Sequence, residues 1–321
     1  MQQHVTTPHL FTRWSRRAWC LGLGAAALEL AGCAAVGPLG GNTTSGATST
    51  PTRAPRIGLA LGGGAARGFA HVGVIQVLEQ NGIRPDLVVG TSAGSLVAAL
   101  YASGKTAAEL EQTALQMEEA AITDWMLPLF NRGVLKGEAL ARYVNRQVQS
   151  KPLQAMKLPL GIVATDLATG KGVLFQRGDT GTAVRASSAV PGVFMPVSIS
   201  GREYVDGGLV APVPVQQARE MGAEVVIAVD ISSAPEGEST SDALRVMLQT
   251  FTIMGQSINR YALAEADVVV RPALVGVGSA DFSARQRSIV AGREAMQAAL
   301  PRVRQQLQAK RQPGANVARN G

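Results

Sequence analysis

Asp86-Leu87-Val88-Val89-Gly90-Thr91-Ser92-Ala93-Gly94 is the stretch on which the reading of this chain turns. Leu87 to Val89 is an apolar, β-rich run, Gly90 to Gly94 spells Gly-x-Ser-x-Gly, and Ser95-Leu96-Val97-Ala98-Ala99-Leu100 continues as a helix. Strand, sharp turn and helix in that order are the setting in which this pentapeptide presents its serine as a nucleophile. Gly90 and Gly94 lack a Cβ, which leaves room for the turn and for close approach of helix to strand. Ser92 then sits at a helix N-terminus, where unpaired N–H groups favour negative charge. An ordinary tight strand–helix turn fits the same five residues, so the neighbouring segments decide.

Upstream, Ile57-Gly58-Leu59-Ala60-Leu61 reads as a buried first strand. Gly62-Gly63-Gly64-Ala65-Ala66-Arg67-Gly68 follows, then a helix from about Phe69 to Asn81 with Val72, Ile75, Val77 and Leu78 apolar. A glycine-rich turn between strand and helix offers backbone N–H groups to an anion. A dinucleotide pyrophosphate would require Gly-x-Gly-x-x-Gly and an acidic residue about 20 positions on. Arg67 stands where the third glycine belongs, Gly68 comes one place late, and the second strand ends at Gly90 with no acid to hold a ribose. The oxyanion of an acyl-transfer intermediate is the other candidate, held by N–H donors around Gly63 and Gly64. Loop and serine turn then explain each other.

Three segments in this order resemble the patatin-like phospholipase family: Gly62 to Gly68, Gly90 to Gly94, and Asp206-Gly207-Gly208. They match its glycine-rich oxyanion loop with a basic residue, its Gly-x-Ser-x-Gly elbow and its later Asp-Gly-Gly or Asp-Gly-Ala. The loop is one residue longer than in plant patatins. Arg185-Ala186-Ser187-Ser188-Ala189-Val190-Pro191-Gly192, with Phe194 and Pro196, extends a likeness that spans roughly Ile57 to Pro272. The resemblance implies a three-layer α/β/α sandwich with a mainly parallel sheet. It also implies hydrolysis of fatty-acyl esters of phospholipids or lysophospholipids by a Ser92–Asp206 dyad, with Arg67 shaping the loop or meeting substrate phosphate. No cofactor or metal is expected, since no His, Cys or acidic cluster has ligand spacing.

The histidines bear on the dyad independently. A Ser-His-Asp triad needs an imidazole between serine and carboxylate. His4 and His9 precede the folded part, leaving His71, whose place just after the glycine loop suits a packed or helix-bonded side chain. On the residues alone the carboxylate stays open. Asp206 follows the strand-like Arg202-Glu203-Tyr204-Val205 and fits an Asp-Gly hairpin turn equally well. Asp166 and Asp230 also end apolar runs. Only the family likeness selects Asp206. A carboxylate near its reference pKa of ~3.9 is a weak base for a hydroxyl, so the dyad demands desolvation and strong oxyanion stabilisation.

The chain has 321 residues, 46% hydrophobic, 17% charged and 4% aromatic, with formal charge +7. This suits an α/β core of Ala, Val, Leu and Ile. Basic residues are dispersed and not interleaved with aromatics, which argues against nucleic-acid binding. Both cysteines, Cys20 and Cys33, lie near the N-terminus, so the folded part holds neither a disulfide nor a cysteine nucleophile.

Arg13-Trp14-Ser15-Arg16-Arg17 and the apolar run from Ala18 to Leu28 have the order of a signal peptide. Leu30-Ala31-Gly32-Cys33 resembles the lipobox of bacterial lipoproteins, with Glu29 a polar departure just before it. The expectation is a leader over 1–32, a lipidated Cys33, a flexible tether over 33–55 that spans roughly 25 Å, a hydrolase domain over 56–311 and a disordered tail over 312–321. The absence of Asp after Cys33 points, by analogy with such lipoproteins, to the periplasmic side of the outer membrane. The expected partners are membrane lipids, and the oligomeric state is left open.

Elsewhere, Thr106 to Ala121 is helical in pattern, with Leu110, Ala114, Leu115 and Met117 on one side. Met126-Leu127-Pro128-Leu129-Phe130 suits a buried connection or a lipid-facing lip. Gly137 to Val148, Val213 to Met221, Asp242 to Ala266 and Phe282 to Lys310 read as helices, the last interrupted by Pro301. A nucleotide-binding protein would use the glycine loop alone, and two further functions outside phospholipid hydrolysis use the same features. One is an esterase or thioesterase acting on soluble acyl substrates, and the other is a non-catalytic envelope lipoprotein.

Overall fold

The computed structural model describes residues 52–119, 124, 135–233, 241–278 and 280–313. The chain enters with β1 (Thr52–Arg53) and β2 (Ile57–Leu61), passes the glycine loop and a 3-10 turn (Ala65–Phe69), and forms α1 (Ala70–Gln80). β3 (Leu87–Thr91), α2 (Ala93–Ala102) and α3 (Ala107–Gln116) follow. The middle of the chain supplies α4 (Glu138–Gln147), β4 (Leu160–Asp166), β5 (Gly172–Phe175), α5 (Thr180–Ser187), β6 (Val197–Ile199) and β7 (Arg202–Asp206). The last elements are α6 (Val215–Glu220), β8 (Val225–Val229), α7 (Ala243–Ala262), β9 (Val268–Val270), α8 (Arg285–Ala309) and β10 (Gln312–Pro313).

β2 to β9 form one eight-stranded sheet in the order β6-β7-β4-β3-β2-β8-β9, with β5 also on β4. The strands from β4 through β3, β2 and β8 to β9 are parallel, and β5, β6 and β7 join antiparallel. Central parallel strands are covered on both faces and therefore read as unbroken apolar runs. Successive residues here divide between two cores. Leu59, Leu61, Val88, Ile227 and Val229 pack with α1, α2 and α8, whereas Ala60, Leu87, Val89, Val226 and Ala228 pack with Val215 and Ala218 of α6. This is the expected three-layer α/β/α arrangement.

One register places the site. β3 pairs with β4 as far as Thr91 opposite Val163, and β7 pairs with β4 from Asp206 opposite Ala164. β5 occupies Ile162 to Thr165 of β4. Each edge of a strand carries one partner at a time, so β5 holds one edge, and β3 and then β7 share the other. β7 therefore runs head-on toward the C-terminal end of β3. Asp206, the last residue of β7, arrives where β3 hands over to Ser92.

Three expectations differ from the structure. Leu115 is exposed, while Leu110, Ala114 and Met117 are buried; it lies about 100° around the helix from Ala114. α8 runs unbroken through Pro301. The proline is exposed, and its missing N–H removes only one rung of a helix that Ile289, Met296 and Val303 hold by burial. Thr52–Arg53, assigned to the tether, and Gln312–Pro313, assigned to the tail, pair as an antiparallel ladder. Met126 to Phe130, the leader with Cys33, and residues 314–321 lie outside the described residues.

Candidate active site

Ser92 follows β3 and caps α2 with φ 52° and ψ −123°, backbone that a non-glycine residue adopts rarely and at a cost. Gly90 and Gly94 permit the turn by close approach. A Cβ on Gly90 would overlap the Gly94 carbonyl, and one on Gly94 would overlap the Leu61 carbonyl. Ser187, the last residue of α5, holds the strained residue from the other side. The Ser92 N–H donates to Ser187 Oγ at 2.9 Å, and Ser187 Oγ donates to the Val163 carbonyl of β4 at 2.6 Å.

The glycine loop is pinned at its start. The Gly62 N–H donates to Val229 O at 3.0 Å, and the Gly63 N–H donates to Pro212 O at 2.9 Å. Gly63 was expected among the oxyanion donors, but its amide is committed to Pro212. Its contribution is proximity, since a Cβ there would stand 3.2 Å from Ser92 Cβ. The amides of Gly64 and of Ala93, directly after Ser92, make no hydrogen bond to another described residue. Gly68 lies against Ala93. Arg67 is buried, reaches Gly64 O through Nε at 3.4 Å and donates to Ser233 Oγ at 2.7 Å. It thus braces the loop from within the cleft wall. His71 is fully buried, and its Nε2 meets the Gly62 carbonyl at 2.8 Å. Burial holds its pKa down at about 4, against a smaller upward pull from that carbonyl. Its ring is an anchor for the loop through the Gly62 carbonyl.

Asp206 is buried. Its backbone N–H donates to Ala189 O at 2.9 Å and its carbonyl accepts from Thr165 Oγ1 at 2.8 Å. A 3-10 turn over Gly207–Leu209 follows in place of a hairpin. A Cβ on Gly207 would overlap the Val163 carbonyl, and the Gly208 N–H donates to Asp206 Oδ1 at 2.6 Å. Oδ2 is buried without a hydrogen bond. Ser92 and Asp206 line the same cleft, and the Ser92 hydroxyl favours the charged carboxylate. Burial raises the Asp206 pKa to about 6, opposed in part by the Ser92 hydroxyl and the Gly208 amide. Asp166 and Asp230 are engaged elsewhere. The first accepts from Ala168 and Thr169 and faces Arg202, and the second pairs with Arg271 and Ser232.

Ser92, Asp206, Gly63, Gly64, Arg67 and Gly208 all line one cleft of about 610 Å³. Its outer wall is α7, through Arg245, Leu248, Gln249, Thr252, Gly255 and Gln256. Their three- and four-residue spacing is one helix face. Sequence reading gave this wall no role, although the spacing was visible. It likewise gave none to Ser187, whose significance depends on what α5 packs against.

A serine on a strained strand–helix turn, a buried carboxylate ahead of it and unpaired amides beside it are the constellation of a serine acyl hydrolase. The chain belongs to the patatin-like phospholipase family, whose model matches residues 59–219. An uncharacterized NTE family protein of Mycobacterium tuberculosis is 36% identical over 184 residues, 57% of this chain and 51% of that protein. Human patatin-like phospholipase domain-containing protein 6 is 35% identical over 187 residues, 56% of this chain and 14% of that protein. The match thus spans about half of the mycobacterial relative and a small part of the human one. The crystal structure of VipD from Legionella pneumophila shares the fold, with TM-score 0.51 at 12% identity over 81% of this chain and 68% of that one.

Proposed function

We propose that this protein hydrolyses fatty-acyl ester bonds of phospholipids or lysophospholipids through Ser92 and Asp206. One observation carries the reading. The strained Ser92 shares a cleft with a buried carboxylate whose Oδ2 makes no hydrogen bond and whose charge the Ser92 hydroxyl favours. Asp206 accepts the hydroxyl proton as Ser92 Oγ attacks the ester carbonyl. The amides of Gly64 and Ala93 stabilise the oxyanion. Asp206 returns the proton to the departing alcohol, and water then releases the fatty acid from the acyl-serine with Asp206 again as base. Desolvation serves this chemistry, because a carboxylate with a pKa of about 6 is a stronger base than one at its reference value and is still ionised at neutral pH. The cleft carries apolar Leu248, Leu209 and Phe251 on its walls, which suits an acyl chain.

The full-length protein is to be labelled with a fluorophosphonate and assayed for fatty-acid release from mixed phospholipid micelles. Ser92→Ala should abolish labelling and lower release at least about 1000-fold, and kcat/KM of the parent protein should rise with pH to a plateau above about 6. Labelling without release, alongside turnover of short soluble esters, would move the substrate to soluble acyl compounds. No labelling of folded protein would leave a non-catalytic lipoprotein. Leu30-Ala31-Gly32-Cys33 supports lipid anchorage in the bacterial envelope, facing the periplasm from the outer membrane. Palmitate incorporation that persists in Cys33→Ala would remove the anchor from this proposal.

A further inference from the structure

α7 has two faces of different character. Arg245, Leu248, Gln249, Thr252, Gly255 and Gln256 line the cleft. The opposite face is left to solvent. Tyr261 is 76% exposed, Ile253 51%, Met254 50% and Val246 49%, and Ala243, Thr250 and Ser257 lie between them on the same side. That side carries no charge over five turns of helix, whereas the outer face of a surface helix in a globular protein is ordinarily charged or polar. The charged residues within Ala243–Ala262 are Arg245, which lies on the cleft side and pairs with Asp242 at 3.3 Å, and Arg260, exposed at the edge of the outer face seven residues on from Ile253. Ala243–Ala262 contains no acidic residue, and the N-cap Asp242 is taken up by the Arg245 N–H and side chain.

We propose that this outer face of α7 seats the protein on a lipid bilayer, with Val246, Ile253, Met254 and Tyr261 entering the headgroup–acyl boundary. The inference rests on the acyl-hydrolase reading of the cleft and extends it to how substrate arrives. Three features favour a bilayer over a protein partner. An uncharged, largely apolar outer face with an arginine at its edge suits a helix that lies in a membrane interface. Arg260, at the edge of that face, supplies charge that lipid phosphates complement. The helix also forms the cleft wall, so docking its outer side brings the mouth of the Ser92 cleft to the surface that holds acyl esters. No helix among the described residues is long and apolar enough to cross a membrane, and α7 accordingly lies on the bilayer.

The test uses the full-length chain with Cys20→Ser, Cys33→Ser and Met254→Cys, the new thiol carrying a bimane. Vesicles of phosphatidylcholine and phosphatidylglycerol should shift its emission to the blue, and lipid-borne doxyl groups should quench it. In parallel, Ile253→Asp with Met254→Asp should lower hydrolysis of vesicle phospholipid roughly tenfold or more while leaving turnover of a soluble short-chain ester unchanged. An unresponsive bimane overturns the proposal, as does a doubly substituted protein that hydrolyses vesicles like its parent. A blue shift that follows protein concentration without lipid overturns it in favour of self-association. Absence of ester turnover in the parent would instead strike the hydrolase reading, and the fluorescence would still decide whether α7 meets lipid.

Discussion

α8 and α7 are the two longest helices described, and they are used in opposite ways. α8 turns Ile289, Met296 and Val303, at seven-residue spacing, fully into the core, where they lie against α1. Gly73 of α1 and Gly292 of α8 bring the two backbones so close that a Cβ on either would overlap the other helix's main chain. α7 buries Asn259 alone, and neither polar atom of that side chain has a hydrogen-bond partner. The contrast extends to what each helix borders. The loop and turn beside α7 hold Ala65 and Ser92 at positive φ, together with a carboxylate that burial disfavours in its charged form. Close helix packing lies between α1 and α8, whereas the cleft holds two of the five non-glycine residues at positive φ among the described residues, the others being Gln149, Ser150 and Ser200. Functional sites are where such strain persists, because the surrounding packing over-determines it.

The largest effect should come from closing the gap behind the sheet. Gly292→Leu forces α1 and α8 apart and should cost about 3 kcal/mol or more. The expected fall in Tm is roughly 10 °C, and an unchanged Tm would break the contrast with α7. Next comes Asp206→Asn, which should abolish ester hydrolysis and yet stabilise the fold. The folded carboxyl titrates near 6, above its unfolded value near 4. The folded state therefore holds a proton that the unfolded chain has released, and parent stability falls as pH rises through that window. The substituted protein lacks this loss. Its advantage should reach roughly 2–3 kcal/mol at pH 8 and vanish below about pH 4, as denaturation across that range would record. A pH-independent difference would show that the buried charge is not what separates the two proteins.

Ser187→Ala should have the smallest effect on stability, about 2 kcal/mol, because two hydrogen bonds are lost, one to the Val163 carbonyl and one from the Ser92 N–H. Its effect on turnover should be larger, a fall in kcat of roughly tenfold with KM nearly unchanged, and Ser187→Thr should recover part of it. Equal changes in kcat and in unfolding free energy would make Ser187 a core residue with no bearing on the elbow.

Much of the fold was readable in the chain. Ile57–Leu61, Leu87–Val89 and Val225–Val229 are apolar runs of strand length, and a strand buried on both faces admits little else. The glycines of the elbow were readable too, because close approach excludes a Cβ whatever surrounds it. The misreadings at Leu115 and Pro301 have one origin. Local pattern says that a helix exists but not which neighbour holds it, and α8 survives its proline because Ile289, Met296 and Val303 are buried. The free amide of Gly64 could not be separated from the committed amide of Gly63, since Pro212, the acceptor, lies about 150 positions away.

By itself the sequence determined an α/β chain, a serine on a strand–helix turn and a glycine loop one strand away, because these are set by residues within a few positions of one another. Local pattern did not decide which carboxylate meets the serine; the family likeness named Asp206, and the tertiary structure shows how it arrives there. Asp166, Asp206 and Asp230 all follow apolar runs, and local pattern cannot rank them. Asp206 is singled out because β5 occupies one edge of β4, so β7 takes the edge that β3 vacates and delivers its last residue to the turn at Ser92. Register between distant strands is a property of the whole sheet, and burial of the carboxylate, with the basicity that follows from it, exists only once the sheet has closed around it.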